Sequence, residues 1–296
     1  MLEDLTDEVA FITGAASGIG LGMAQACAQA GMKIAMVDAD AAALERAAAD
    51  IAESHATVLA LPLDVTDEPR WAAVADKAEA ELGPVRTLCN NAGVSALGLK
   101  VEALEPSLWN KIVDINLGGV FNGVHCFARR MRGAGGGHIV NTASMAGLAA
   151  AGGSGIGVYA ATKFAVVGLS EALRAELAPD GIGVSVLCPG AVRTHLWRTS
   201  RRIRDLPDTD VPPPEAMFGS ASPNGLDPFR LGLRILDAVR ANEFYVITHP
   251  EFRSGLVARH EELMAAFDRA EAAAPLLSPP SDDAVANEQK SPVREQ

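Results

Sequence analysis

Tyr159 and Lys163 stand four residues apart in the run YAATK, and Ser144 precedes the tyrosine by fifteen positions. On a helix, residues i and i+4 share one face with their Cβ atoms about 6 Å apart. A free phenol titrates near ~10, too high for a base at neutral pH. A neighbouring ammonium favours the phenolate. Two unit charges ~5 Å apart at an effective dielectric of ~20 attract by about 3 kcal/mol, and one pKa unit corresponds to about 1.4 kcal/mol. The lysine is therefore expected to lower the tyrosine's pKa by roughly 2. Such a trio would make an acid–base centre with neither a metal nor a histidine.

The rest of the chain must hold these residues together. Its 296 residues suffice for one large α/β domain. Short apolar runs at Val9–Thr13, Lys33–Val37, Thr57–Leu61, Val85–Asn90, His138–Thr142, Gly183–Cys188 and Phe244–Thr248 read as strands. Helical periodicity fills Gly18–Ala30, Ala41–Ser54, Pro69–Leu82, Ser107–Arg132, Val158–Ala178 and Pro228–Asn242. This alternation predicts a parallel, doubly wound sheet of seven strands with helices on both faces. Thr66 and Asp67 before Pro69 read as a helix cap, and Arg129, Arg130 and Arg132 as favourable charge at a helix C-terminus. Residues 196–227 break the rhythm and read as an irregular lid insertion on a domain covering 1–272. Residues 273–296 carry four prolines and no apolar rhythm, and read as a mobile tail.

In a parallel sheet the informative polar residues share the carboxyl edge, where open α/β sheets bind ligands. Gly14 follows strand one, Asp38 ends strand two, Asp64 follows strand three, and Asn90 ends strand four. Ser144 follows strand five and Pro189 strand six. The first turn, TGAASGIG from Thr13 to Gly20, has the glycines that let a backbone approach a pyrophosphate. Asp38 lies 24 residues after Gly14, where a carboxylate grips the adenosine ribose hydroxyls. Asp40 is an alternative for that role. The same carboxylate repels a 2′-phosphate by about 3–6 kcal/mol. No Arg or Lys in the glycine turn or in Ala39–Ala43 offsets it. NAD rather than NADP is expected.

From about Val9 to Thr194 the chain resembles the classical short-chain dehydrogenase/reductases. The resemblance rests on TGAASGIG, Asp64-Val65, the NNAG run Asn90–Gly93, Asn116 in INLGG, Ser144 in TASMAG, YAATK and the run Pro189–Thr194. It implies a single Rossmann-type domain that moves a hydride between a secondary alcohol or ketone and nicotinamide. Tyr159 would be the general acid/base, Lys163 would lower its pKa and hold the nicotinamide ribose, and Ser144 would bond the substrate oxygen. Asn116 would fix a water linking Lys163 to solvent. The cofactor would lie along Gly14, Ser17, Gly18, Ile19 and Gly20, with Asp64 and Val65 at the adenine. Asn90, Asn91, Ala92 and Gly93 would line the adenosine side, with Asn90 mostly structural, and Pro189, Gly190, Val192 and Thr194 the nicotinamide end. The segment Leu226–Leu256 is similar to bacterial members acting on bulky aromatic alcohols, among them the Cα-dehydrogenases. The family's assembly implies a homo-oligomer, tetramer or dimer.

Composition narrows the alternatives. A net charge of −12 argues against a nucleic-acid partner. No apolar run reaches the ~20 residues of a membrane span, and the acidic N-terminus has no signal-peptide pattern, so a cytoplasmic location is expected. Cys27, Cys89, Cys126 and Cys188 sit singly in apolar stretches and read as reduced core residues. The six histidines show no metal-ligand spacing. The small residues of 145–158 either leave room for a large substrate or serve loop packing. The arginines after Thr194 either attract an anionic substrate group or are simply solvated. An NADP-dependent carbonyl or acyl-thioester reductase, and a non-catalytic dinucleotide-sensing regulator, are the competing readings.

Overall fold

The computed structural model describes residues 2–96, 98–149, 155–207 and 225–273. Seven parallel strands form one sheet in the order β3-β2-β1-β4-β5-β6-β7. They are β1 Val9–Thr13, β2 Lys33–Asp38, β3 Val58–Pro62, β4 Val85–Asn90, β5 Gly137–Thr142, β6 Ile182–Cys188 and β7 Tyr245–Ile247. The strand order reverses between β1 and β4, and a crevice opens at such a switch point.

Side-chain alternation divides the core. Val9 and Phe11 of β1 enter one apolar cluster, while Ala10 and Ile12 enter another, as the two-residue period of a strand requires. The first cluster is completed by α3 (Glu68–Leu82), α5 (Gly119–Gly133) and α6 (Gly157–Leu177). The second is completed by α1 (Gly18–Gln29), α2 (Ala41–Ala52) and α8 (Pro228–Ala241). Helices α1 and α8 touch backbone to backbone: a Cβ on Gly22 would lie 2.2 Å from the Pro228 carbonyl oxygen. Cys27, Cys89 and Cys188 are buried free thiols, and Cys126 is half-buried.

Three features depart from the sequence pattern. The expected single helix Ser107–Arg132 is α4 (Pro106–Val113), a π-helical segment Asp114–Gly118, and then α5. Both halves keep helical periodicity, so composition does not expose the extra residue in the turn between them. The insertion begins with a helix, α7 (Leu196–Arg202), and the chain beyond the last strand forms α9 (Arg253–Ala272). Helix α9, where the sequence pattern assigns no element, has no buried residue, and its Val257, Leu263, Met264 and Phe267 are exposed. By contacts the chain divides into the units Met1–Pro250 and Glu251–Gln296. Most of the lid insertion (208–224) and nearly all of the expected tail lie outside the described residues.

Two local expectations are also revised. Asp67 occupies the N-cap position of α3, but its side chain makes no capping bond. Asp64 Oδ1 instead accepts from the Thr66 amide at 2.9 Å and the Thr66 hydroxyl at 2.8 Å. Arg130 does more than complement a helix end, since it pairs with Asp76 and Glu79 of α3.

Candidate active site

Three strand ends are tied together at the carboxyl edge. The Thr13 hydroxyl donates to the Cys89 carbonyl (3.3 Å) and accepts from the amides of Asn91 (2.9 Å) and Ala92 (3.1 Å). Asn91 Nδ2 donates to the Thr13 carbonyl (3.0 Å), and Asn91 Oδ1 accepts from the Thr142 hydroxyl (3.3 Å). The ends of β1, β4 and β5 are thereby held in one frame.

Within that frame the first turn leaves no room for side chains. Gly14 has φ +66°, and a Cβ there would lie 2.9 Å from Ala92 Cα. A Cβ on Gly20 would lie 2.2 Å from the Gly14 carbonyl oxygen. Gly18, at φ +55°, faces Thr194 across the crevice, its built Cβ 3.2 Å from Thr194 Cγ2. Ser17 caps α1 in extended conformation without a side-chain bond to the helix's first turn. The first amides of a helix lack intrahelical partners and attract anions. This bare, tight turn fits a dinucleotide pyrophosphate. Ile19 is half-buried on the apolar cluster beneath α1.

Asp38, at the end of β2, accepts from the Ala16 amide (3.1 Å) and the Asp40 amide (3.0 Å). It therefore faces the glycine turn. Asp40 has other work: Oδ1 caps α2 through the Ala43 amide, and Oδ2 pairs with Arg202 at 3.1 Å. Val65 is buried against Gly119, and its carbonyl accepts from Trp71 Nε1 and Asn122 Nδ2. Asn90 points into the fold, donating to Asn141 Oδ1 across β4 and β5 (2.9 Å).

The residues expected to form the acid–base centre converge next to this turn. Ser144, just past β5, accepts the Ala146 amide (3.1 Å), and its hydroxyl lies 3.5 Å from the Pro189 carbonyl. The Tyr159 phenol, on the first turn of α6, is hydrogen-bonded to Ser144. Lys163 is buried one turn on, its Nζ donating to the Thr142 carbonyl (2.7 Å) and lying 5.6 Å from the centre of the Tyr159 ring. A Cβ on Gly93 would sit 3.4 Å from both Lys163 Nζ and Asn116 Oδ1. The π-helical segment carries Asn116 to this point. Its amide accepts from Val94 N (2.8 Å) and donates to Val94 O (2.9 Å) and to the Thr162 hydroxyl (3.0 Å). The side chain thus clamps the β4 loop to α6.

The electrostatic expectation for Tyr159 needs correction. Burial raises its pKa above the usual phenol value, and only the Ser144 hydrogen bond opposes this. Lys163 is itself pulled down from 10.5 to about 8 by burial. A desolvated ammonium whose nearest partner is a carbonyl does not by itself hold a phenolate. The pair-wise Coulomb argument omitted the desolvation of both groups.

Comparison with known proteins agrees with this geometry. The short chain dehydrogenase family profile matches residues 8–205. The chain belongs to the short-chain dehydrogenase family. The C alpha-dehydrogenase of Sphingobium sp. is 38% identical over 261 residues, covering 86% of this chain and 85% of that protein. The D-threitol dehydrogenase of Mycolicibacterium smegmatis is 40% identical, covering 65% of this chain and 73% of that one. A short-chain dehydrogenase/reductase from Burkholderia phymatum, solved in complex with NAD, superimposes with a TM-score of 0.80 at 32% identity, covering 89% and 96% of the two chains. Apo LigD from Sphingobium sp. gives a TM-score of 0.74 at 35% identity, covering 88% and 98%.

In this short-chain dehydrogenase the run after β6 is anchored by main-chain bonds. Ala191 O accepts from Leu226 N (2.9 Å), and Arg193 N donates to Leu226 O (3.0 Å), so Val192 and Leu226 form a short parallel bridge at the base of the insertion. Arg193 also pairs with Asp227. Two features escaped the sequence reading. Arg202 reaches Asp40 from 162 residues away, although Ala39–Ala43 holds no basic residue. His249 touches the Pro189–Ala191 turn. Neither stands in a motif: the pairing of β7 with β6 brings in His249, and the path of the insertion brings in Arg202.

Proposed function

We propose that this short-chain dehydrogenase is an NAD-dependent oxidoreductase acting on a secondary alcohol or ketone with a bulky, aromatic substituent. The observation that carries the reading is the Ser144–Tyr159 hydrogen bond beside Lys163 in a crevice whose other half is the glycine turn. A bound nicotinamide would supply the hydride acceptor or donor. The remaining tasks fall to this chain. Ser144 bonds the substrate oxygen and aligns it with the phenol, Tyr159 moves the proton, and Lys163 holds a ribose hydroxyl and biases Tyr159 electrostatically. Asn116 keeps the β4 loop and α6 in register around Lys163.

The raised Tyr159 pKa sets the direction of the pH effect. At neutral pH the phenol keeps its proton, which suits donation to a carbonyl. Abstraction from an alcohol needs the phenolate, so oxidation is expected to accelerate as pH rises from 7 towards 10, while reduction, which uses the protonated phenol, stays nearly flat until the pH passes the raised pKa. Rates of NADH formation and consumption across that range test this.

Asp38 supports NAD, because its carboxylate faces the turn where a 2′-phosphate would lie. Arg202 favours NADP by position, but its guanidinium is held by Asp40. The similarity to a C alpha-dehydrogenase supports a bulky aryl substrate, as do the small residues Ala146, Gly147 and Ala149 after Ser144. Exposed Trp109 and Phe121 on α4 and α5 support a homo-oligomer. The deciding experiment is a screen of secondary alcohols, from cyclohexanol to aryl-glycerol ethers, with NAD and NADP in parallel. Higher kcat/KM with NAD on an aryl alcohol is the expected result. A preference for NADP, or no turnover of any alcohol, rejects the reading.

A further inference from the structure

We infer that His249 is a positioning residue that fixes the turn at the nicotinamide end of the crevice, an inference that rests on the dinucleotide reading of the site. β7 pairs in parallel with β6, with Ile247 opposite Cys188. Two residues beyond each strand end, His249 therefore meets Gly190. The Gly190 amide donates to His249 Nδ1 at 3.0 Å, so Nδ1 carries a lone pair. His249 Nε2 lies 3.0 Å from the Ala191 carbonyl, an acceptor only, so Nε2 carries the proton. The two bonds fix one neutral tautomer, and together they grip an amide and a carbonyl of consecutive residues. The Thr248 hydroxyl, 2.7 Å from Nδ1, lies beside the same nitrogen.

The ring also packs on the turn. A Cβ on Gly190 would fall 2.7 Å from His249 Cγ and 2.9 Å from Cδ2, so the glycine is required for the imidazole to dock. The gripped turn reaches the chemistry on both sides. Pro189 O accepts the Met145 amide (2.9 Å) and lies 3.5 Å from the Ser144 hydroxyl. Ala191 O also accepts from Leu226 at the base of the insertion. His249 thus sits behind the turn, linking the serine loop, the cofactor run and the root of the lid.

The test compares His249→Phe, which keeps a ring without nitrogens, with His249→Asn, whose Oδ1 restores an acceptor near the Nδ1 position. Amide exchange of residues 188–194 in the protein without added nucleotide is the first readout. NADH affinity by fluorescence titration is the second, and KM and kcat are the third. His249→Phe is expected to speed exchange in that segment and to weaken NADH binding about tenfold, the scale of one or two hydrogen bonds. Its KM for the nucleotide should rise more than its kcat falls. His249→Asn should recover most of the affinity. Should His249→Phe fail to fold, His249→Ala enters the same comparison. Unchanged exchange and affinity in the ring-only variant overturn the inference, as does an asparagine variant no better than phenylalanine at equal melting temperature. Wild-type protein that binds NADH yet oxidises no alcohol rejects the proposed function and leaves the His249 result readable. Wild-type protein that binds no NADH overturns both.

Discussion

The two halves of the crevice are built differently. The half at β1 and β2 is main chain: glycines at 14, 18 and 20, helix amides, and one carboxylate facing back to the turn. The half at β5, β6 and β7 is side chain. Ser144 after β5, Asn116 of the π-helical segment and the α6 pair Tyr159 and Lys163 come from three parts of the chain and meet through bonds that cross the fold. A main-chain site tolerates no added volume. A side-chain site tolerates volume better but depends on the protonation of a few buried groups.

The sharpest contrast is expected at Tyr159. Tyr159→Phe should reduce turnover by about 10³-fold or more, with NADH affinity nearly unchanged. Retained turnover would break the division between the halves, because the proton would then move by another route.

Lys163 gives the next largest effect. Below pH 8 it is charged both folded and unfolded, and the folded state bears the burial penalty. Between about 8 and 10.5 the folded lysine is neutral while the unfolded one is still charged, so the unfolded state holds more protons and stability rises with pH. Relative to Lys163→Met, the wild type should gain roughly 3 kcal/mol across that window. Denaturant titrations of both proteins at pH 8 and 10.5 measure it. A flat difference would show that the ammonium is not desolvated.

On the main-chain side, Gly20→Ala should lower stability by about 1–3 kcal/mol, because its Cβ would strike the Gly14 carbonyl and the backbone must shift. It should weaken NADH binding in parallel. Gly168→Ala is the control. Nothing lies within 4 Å of its built Cβ on α6, and it should stabilise by about 0.8 kcal/mol. Asp38→Ala should improve the KM for NADP by about tenfold through loss of like-charge repulsion. Arg202→Ala should change stability by less than ~0.5 kcal/mol, since the Arg202–Asp40 pair is largely exposed. A larger effect on nucleotide affinity than on stability would make α7 part of the cofactor site.

Much of the first half was legible in the sequence because its determinants are local. A glycine turn between a strand and a helix, with an aspartate ending the next strand, fixes its own geometry within about 25 residues. The Tyr159–Lys163 pair was legible for the same reason, since a helix brings i and i+4 together. Asn116 was identified by its run, but its clamp on Val94 and Thr162 depends on a π-helical turn that periodicity does not reveal. The sign of the Tyr159 shift was misread because burial, which the Ser144 hydrogen bond only partly opposes, belongs to the packed state.

The succession of strands and helices along the chain and the residue types of the crevice follow from the amino-acid sequence, because short apolar runs and glycine turns act over short distances. Tertiary structure alone decided which distant groups meet there. Parallel pairing of β6 with β7 delivers His249 to Gly190, and the path of the insertion delivers Arg202 to Asp40. Such contacts depend on strand register and on the route of the chain through space, neither of which spacing along the sequence encodes.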